Sequence, residues 1–197
     1  AGTITLVSLI YYGTGTLTYT AGTVTVGAQT LALQSSCILN TAGISWAAIT
    51  VAVTSTITLN AALSATSITP SGSPTWAGAY GFTCTTYTAN TAGSTHIFAS
   101  GVTYAATTSL VCTTATAASR VTMRSSVGGS QAILNLSAAA AMDLGFVTAT
   151  DINSSGGRKI YVWKSSLTNA TNWDDLTYAD VGGGGASIIG GTIVRRN

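Results

Sequence analysis

The chain has 197 residues, 46% of them apolar and only 6% charged, with a formal net charge of +2. No run of about 18 uninterrupted apolar residues occurs, so no transmembrane helix is indicated and membrane insertion is not expected. The seven basic residues form no dense patch interleaved with aromatics, which argues against nucleic acid as a partner.

The charges are also segregated. The first is Arg120, and the five acids are all Asp, at Asp143, Asp151, Asp174, Asp175 and Asp180. Glu, Lys and Arg are the strong helix formers, and their scarcity beside abundant Thr, Val, Ile and Tyr predicts strands rather than helices.

In chain order, residues 1–14 read as an N-terminal strand or cap. Their apolar segment 3–12 is also a candidate for donation to a neighbouring copy. From Gly15 the chain falls into blocks of seven: GTLTYTA, GTVTVGA, QTLALQS, SCILNTA. Leu17, Val24, Leu31 and Ile38 share one phase, and alternation within each block marks a strand with one buried face. Small residues close each block, as a bend requires. The phase slips at Ile44-Ser45-Trp46.

Further strands are expected over 49–53, 56–59, 67–69, 81–87, 96–99, 110–113, 120–124, 131–136, 144–148 and 160–163. Pro70 and Pro74 flank a Ser-Gly-Ser bend, read as a loop bulging from one coil. Residues 137–142 (SAAAAM) read as one helical turn or a tightly packed small-residue strand. After Asp174, Asp175 and Asp180 come four glycines, Gly182 to Gly185, and then an apolar segment ending in Arg195-Arg196.

Strands this short and this closely spaced do not suit a sandwich, whose turn signals come every 8–12 residues. They predict an all-β fold, a parallel β-helix or β-solenoid of about twenty residues per coil. Eight or nine coils at about 4.8 Å each would make a body about 40 Å long. The solenoid is placed at 15–176, with a Gly-rich linker and C-terminal strand or tail at 177–197. Stacking also accounts for the missing charge: equivalent positions meet across neighbouring strands, where like charges repel and Thr pairs are favourable.

The residue types that carry chemistry are sparse. Cys37, Cys84 and Cys112 have no CxxC spacing and read as small buried hydrophobes. His96 is the sole histidine, expected on an outward ladder or as a hydrogen-bonded core residue. Asp151-Ile-Asn-Ser-Ser-Gly156 matches the first half of a calcium loop, but Val162 stands where the closing carboxylate belongs, so a turn is expected. No cofactor, metal site or catalytic residue is predicted.

Thr-X-Thr at Thr16, Thr23 and Thr56 would suit ice binding only if repeated once per coil. The position one coil beyond Thr16 is read as Cys37, which breaks the array. Outward aromatics would suit a glycan, with Trp46, Trp76, Tyr80 and Tyr87 as candidates and Trp76 and Tyr80 the preferred pair; the same four read more readily as ordinary core residues.

Residues 145–173 (GFVTATDINSSGGRKIYVWKSSLTNATNW), with 99–126 before them, resemble the closing coils of Thr/Gly-rich β-solenoid proteins of tailed bacteriophages and marine viral metagenomes. The body from Gly15 resembles their repeats. That resemblance implies a non-catalytic virion surface protein, of the tail-fibre, spike or capsid-decoration type, often trimeric. Its expected partners are copies of itself in a homotrimer and other virion proteins such as capsid or tail proteins, with a host-surface glycan as a further candidate. The alternatives are a carbohydrate-binding adhesin at the cell surface and a pilus-like filament joined by strand donation. Ile188, Ile189, Ile193, Val194, Arg195 and Arg196 are the candidate partner contacts.

Overall fold

The computed structural model describes residues 3–6, 9–11, 14–19, 23–26, 30–41, 43–52, 54–176, 186–189 and 192–195, with the strands at 3–11, 23–26 and 186–195 described by backbone pairing alone. Among these every regular element is a strand. The chain winds as a parallel β-solenoid, the fold class expected from its spacing.

One wall is an eight-stranded parallel sheet: Thr16–Thr18, Cys37–Asn40, Thr56–Leu59, Thr75–Gly78, Thr95–Phe98, Val121–Ser125, Val147–Thr150 and Ser166–Thr168, in that spatial order. Seven spacings of about 4.8 Å make it roughly 34 Å long. The inner side is apolar: Cys37, Ile57, Trp76, Phe98, Val121 and Val147 are buried. Register steps are near twenty residues in the first coils: Cys37 pairs with Ile57, and Thr56 with Thr75.

The other two walls are built by single long strands that turn a corner. Leu63–Pro70 buries Leu63 and Ala65, turns Thr66 and Ser67 outward, then buries Ile68 and Pro70. Phe82–Thr88 repeats this with Thr85 and Thr86 at the corner, where the register shifts. Thr103–Cys112 does so at Thr107 and Thr108, and the next coil divides there into Ala132–Leu136 and Ala141–Leu144. Strands expected as separate short pieces, 67–69 and 110–113, are thus the second halves of bent strands. Consecutive outward residues flip the period-2 phase, so one bent strand reads in sequence as two.

Other expectations shift in register. Ile38 faces outward and is half-buried, while Cys37 and Leu39 point into the core. Thr16 therefore stacks on Ile38, not Cys37, and Thr18 on Asn40. The Thr array is interrupted, though by a different residue. The Pro70–Pro74 segment does not bulge: the Ser71 amide bonds the Val51 carbonyl at 2.9 Å and the Thr75 amide the Ser55 carbonyl at 2.8 Å, holding it on the previous coil. Residues 137–142 divide: a single hydrogen-bonded turn, with the Ala140 amide on the Ser137 carbonyl at 3.0 Å, leads into the strand Ala141–Leu144. The strand expected at 144–148 is two strands parted by a corner at Gly145 and Phe146.

Close stacking leaves no room at certain corners. A Cβ on Gly81 would lie 1.8 Å from the Thr103 carbonyl oxygen. In the last coils the corners use left-handed non-glycine residues: Phe146 (φ 53°) and Lys164 (φ 50°) at one corner, Asp151 (φ 54°) and Asn169 (φ 48°) at another. Asp and Asn adopt this region readily; Phe and Lys do not.

The terminal segments pair within the chain. Thr3–Leu6 and Leu9–Tyr11, from the segment considered for donation, pair in parallel with Thr23–Val26 and Thr30–Leu33. Ala186–Ile189 and Thr192–Arg195 form an antiparallel hairpin, with Ile188 opposite Ile193 and Ile189 opposite Thr192. Ile188 meets Met142, placing the hairpin antiparallel on the Ala141–Leu144 strand. Val194 and Arg195 lie in its second strand; Arg196 lies outside the described residues.

Outward hydroxyls bridge coils, as in the bond from Ser109 Oγ to Thr86 Oγ1 at 3.0 Å. Stacked charge should be costly at such a position. The double variant Thr86→Lys/Ser109→Lys is expected to be less stable in urea denaturation than Thr86→Lys/Ser109→Glu by roughly 0.5–1 kcal/mol, and equal stability of the two would refute this account of the charge-free run.

Candidate functional site

Of the two preferred glycan candidates, one lies in a sealed interior and the other at the surface. Trp76 belongs to the interior. It is fully buried, inward on its strand, and its indole Nε1 donates to the Tyr87 hydroxyl at 3.2 Å. This corrects its reading as a glycan contact, since neither ring face reaches solvent; Trp46 and Tyr87 are buried too. Tyr80 is 49% exposed, at a bend between Gly78 and Gly81.

Around Trp76 the core is aromatic. Phe82 lies 5.0 Å from Trp76 and 5.0 Å from Tyr104, and stacks on Tyr87 at 5.3 Å; Phe98 lies 5.1 Å from Tyr104. The polar atoms of this cluster are matched. The Tyr104 hydroxyl donates to the Trp76 carbonyl at 3.3 Å and accepts from the Ala99 amide at 3.1 Å. The Tyr87 hydroxyl meets His96 Nδ1 at 2.7 Å, and His96 Nε2 meets Ser94 Oγ at 3.0 Å. An indole only donates, so the Tyr87 oxygen accepts from Trp76 and its proton points at Nδ1. The ring proton of neutral His96 then sits on Nε2, facing Ser94.

This is the satisfied core histidine, one of its two expected placements. Burial lowers its pKa to about 4, and raises that of Tyr87. Burial likewise raises the thiols: Cys37 to about 11, Cys84 to about 12 and Cys112 to about 11. All three cysteines are free, buried and protonated at neutral pH.

The carboxylates are structural in their geometry. Asp151 Oδ1 accepts from Asn169 Nδ2 at 2.6 Å and Oδ2 from the Gly129 amide at 3.0 Å. These bonds, the Asn169 one first, lower its pKa against the opposing effect of burial. The Asn153 side chain accepts from the Ser155 amide at 2.7 Å, an Asx turn. The DINSSG segment is therefore a pair of stacked corners, Asp151 on Asn169, not an open oxygen cage. Among the described residues no group of three His, Cys or Asp side chains converges as a metal site would require. Asp174 pairs with Lys159 at 3.1 Å, both half-exposed, a contact of little energetic weight. Asp175 accepts from the Ser165 amide at 3.2 Å, while burial raises its pKa. Asp180 lies outside the described residues.

The outer corner combines charge with aromatic surface. Ile160–Trp163 alternates Ile160 and Val162 inward with Tyr161 and Trp163 outward. Trp163 packs against Gly145, where a Cβ would fall 2.6 Å from its ring, and against Phe146, 4.9 Å away at 58°. Arg120 lies over Phe146 at 5.9 Å, and Lys164 over Phe146 at 5.7 Å and Trp163 at 5.3 Å. Arg120 Nη1 donates to the Lys164 carbonyl at 2.6 Å, tying positions 44 residues apart. Lys159 covers Tyr161 at 5.9 Å.

Sequence reasoning missed this corner. Its traces were the onset of charge at Arg120 and the outward phase of Tyr161 and Trp163. Compared with known proteins, the chain matches no family model, no curated protein and no solved structure.

Neutral His96 makes folding pH-dependent. Its folded pKa lies below the ordinary 6.5, so the unfolded chain takes up the proton first. The stability it contributes is whole above pH 6.5, declines as pH falls, and is gone near pH 4. The loss should approach about 3 kcal/mol. Urea denaturation between pH 7 and 4 should show this decline, and His96→Gln should flatten it; Asp151, titrating below 3.8, acts in a lower window.

Proposed function

We propose that this chain is a non-catalytic structural protein of a bacteriophage virion surface, a capsid-decoration or tail-fibre or spike component that assembles as a homotrimer. The observation that carries this reading is the parallel stacking of the described strands around one apolar core, walled by Thr and Ser, with one eight-stranded sheet running from Thr16 to Thr168. Such a body is a stiff spacer. Strands of successive coils are bonded to one another, and the three thiols and the histidine are shut inside. The sequence resemblance of the body and closing coils to Thr/Gly-rich phage solenoids supports the location. Cyclic assembly of a short rod presents several identical walls outward, which suits decoration of a shell or tail.

The C-terminal segment is the assembly element in this proposal. Ile188, Ile189, Ile193, Val194, Arg195 and Arg196 follow four consecutive glycines, a linker able to reach a neighbour. The hairpin of Ala186–Ile189 and Thr192–Arg195 reads equally as a cap on its own edge strand or as a strand pair exchanged between copies. The adhesin alternative gains support from the outer corner around Trp163.

Light scattering on the purified full chain should give a trimer, and a chain truncated after residue 181 should give a monomer with unchanged far-UV circular dichroism. A monomeric full chain, or a trimer that survives truncation, would overturn the assembly assignment.

A further inference from the structure

We infer that the two ends of the solenoid fit one another, so that a second copy of this chain is the fitting partner of its C-terminal end, and that Asp174 and Asp175 on the last edge strand hold that addition off. The inference goes beyond the structural role above and does not need it, because it is read as a difference between two forms of the isolated chain.

Three observations converge. The first is the match between the two ends of the eight-stranded sheet. Its outermost strands are Thr16–Thr18 and Ser166–Thr168, and among the described residues neither has a further strand beyond it. Their sequences, Thr-Leu-Thr and Ser-Leu-Thr, agree in type at every position. Leu17 stacks on the buried Leu39 and Leu167 on the buried Ala149, so both leucines belong to inward columns. Each is only partly buried, because its column stops there. With two copies set end on, Leu17 of one covers Leu167 of the other, and hydroxyls lie beside hydroxyls.

The second is the backbone. The Ile38 amide bonds the Gly15 carbonyl at 3.1 Å and the Tyr19 amide bonds the Asn40 carbonyl at 2.9 Å. Alternation along the strand therefore leaves the amides and carbonyls of Thr16 and Thr18 facing the open edge. At the other end the Asp151 amide bonds the Thr168 carbonyl at 3.0 Å, which leaves the backbone groups of Leu167 facing the open edge. In a parallel ladder one residue bonds the two that flank its opposite number. Leu167 opposite Leu17 thus finds the Thr16 carbonyl for its amide and the Thr18 amide for its carbonyl. The register that pairs the backbones is the one that stacks the leucines. Such a contact is heterologous, so once made it propagates.

The third is what stands at the C-terminal end. Trp173–Leu176 pairs only with Ile160–Trp163 among the described residues, and Asp174 and Asp175 are its two central residues. Asp175 is in register with the buried Val162, so a carboxylate takes a place in an apolar column. Its Oδ1 accepts the Ser165 amide at 3.2 Å, on the residue just before the edge strand Ser166–Thr168. Burial raises the pKa of Asp175, while the Ser165 bond and Arg120 oppose the rise. Asp174 pairs with Lys159. An incoming N-terminal coil strips water from these charges and brings none to meet them, since the first 119 residues hold no Asp, Glu, Lys or Arg. The long stems of Lys159 and Arg120 can carry their charge past such a contact to water; two short Asp side chains on the edge strand cannot. Charge placed inward on an edge strand is one of the ways proteins block strand addition.

The test compares the full-length parent with Asp174→Thr/Asp175→Val by analytical ultracentrifugation over rising concentration at neutral pH, and by negative-stain imaging. The variant should form species of roughly twice the parent's mass and upward, seen as rods that lengthen at constant width. If that pair impairs folding, Asp174→Asn/Asp175→Asn removes the charge alone and should act the same way. Adding Thr18→Pro should return the variant to the parent's mass. The Thr18 amide faces the open edge, so this proline leaves the chain's own ladder intact and removes the donor that the contact needs. If the proline disturbs the circular dichroism spectrum, Leu17→Asp, which puts a carboxylate on the facing end, takes its place. The inference is overturned if the charge-free variant keeps the parent's mass, if the parent itself lengthens into rods, or if the folded form carrying Thr18→Pro, or Leu17→Asp in its place, still lengthens. The trimer assignment is judged on the parent's own mass, so either reading can fail alone.

Discussion

In-register parallel stacking is the constraint on which everything else here depends. Each strand lies about 4.8 Å from its copy in the next coil, so every side chain has a near-equivalent partner above and below. Inside, this rewards repetition: Leu39 stacks on Leu59 and Ile49 on Ile68 in buried columns. Outside, it favours groups that donate and accept at once, as Ser and Thr do, and penalises repeated charge. The composition of the first 119 residues follows from this geometry.

The last coils relax the constraint. After coils widened by the segments 113–120 and 126–131, the register returns to a step of 18 residues, from Thr148 to Ser166. Charges enter here because their neighbours are unlike them. Asp151 stacks on Asn169, Arg124 on Thr150, and Lys159 faces Asp174. Heterogeneous stacking lets charged and aromatic side chains gather, and the outer corner lies in this region.

Much of the architecture was legible in the sequence because period and spacing are local quantities. Thr56–Leu59 and Ile160–Trp163 have the bounds expected for them. What escaped was of two kinds. Corners such as Thr66-Ser67 turn consecutive residues outward, and at Phe146 and Lys164 the chain bends in the left-handed region without a glycine to announce it. The charged aromatic corner was hidden for a different reason. It depends on Arg120 meeting Lys164 across two coils, and no short-range pattern encodes which outward residues come together. Trp76 read either as an outward ring or as a core residue, and its strand faces it inward.

The aromatic block around Phe82 has a consequence for how the rod comes apart. In a stack where each coil touches only its neighbours, stability is a chain of interfaces rather than one bulk quantity. The interfaces joining Trp76, Phe82, Tyr87, Phe98 and Tyr104 carry the largest side chains and a matched buried polar network. The two flanks rest mainly on aliphatic contacts, with Trp46 on one side and Trp173 on the other as isolated buried rings. Opening therefore proceeds from either end toward the middle, and the aromatic coils exchange their amide protons last. They would also template the winding of both arms during folding, a zipper that runs in two directions from a central clasp.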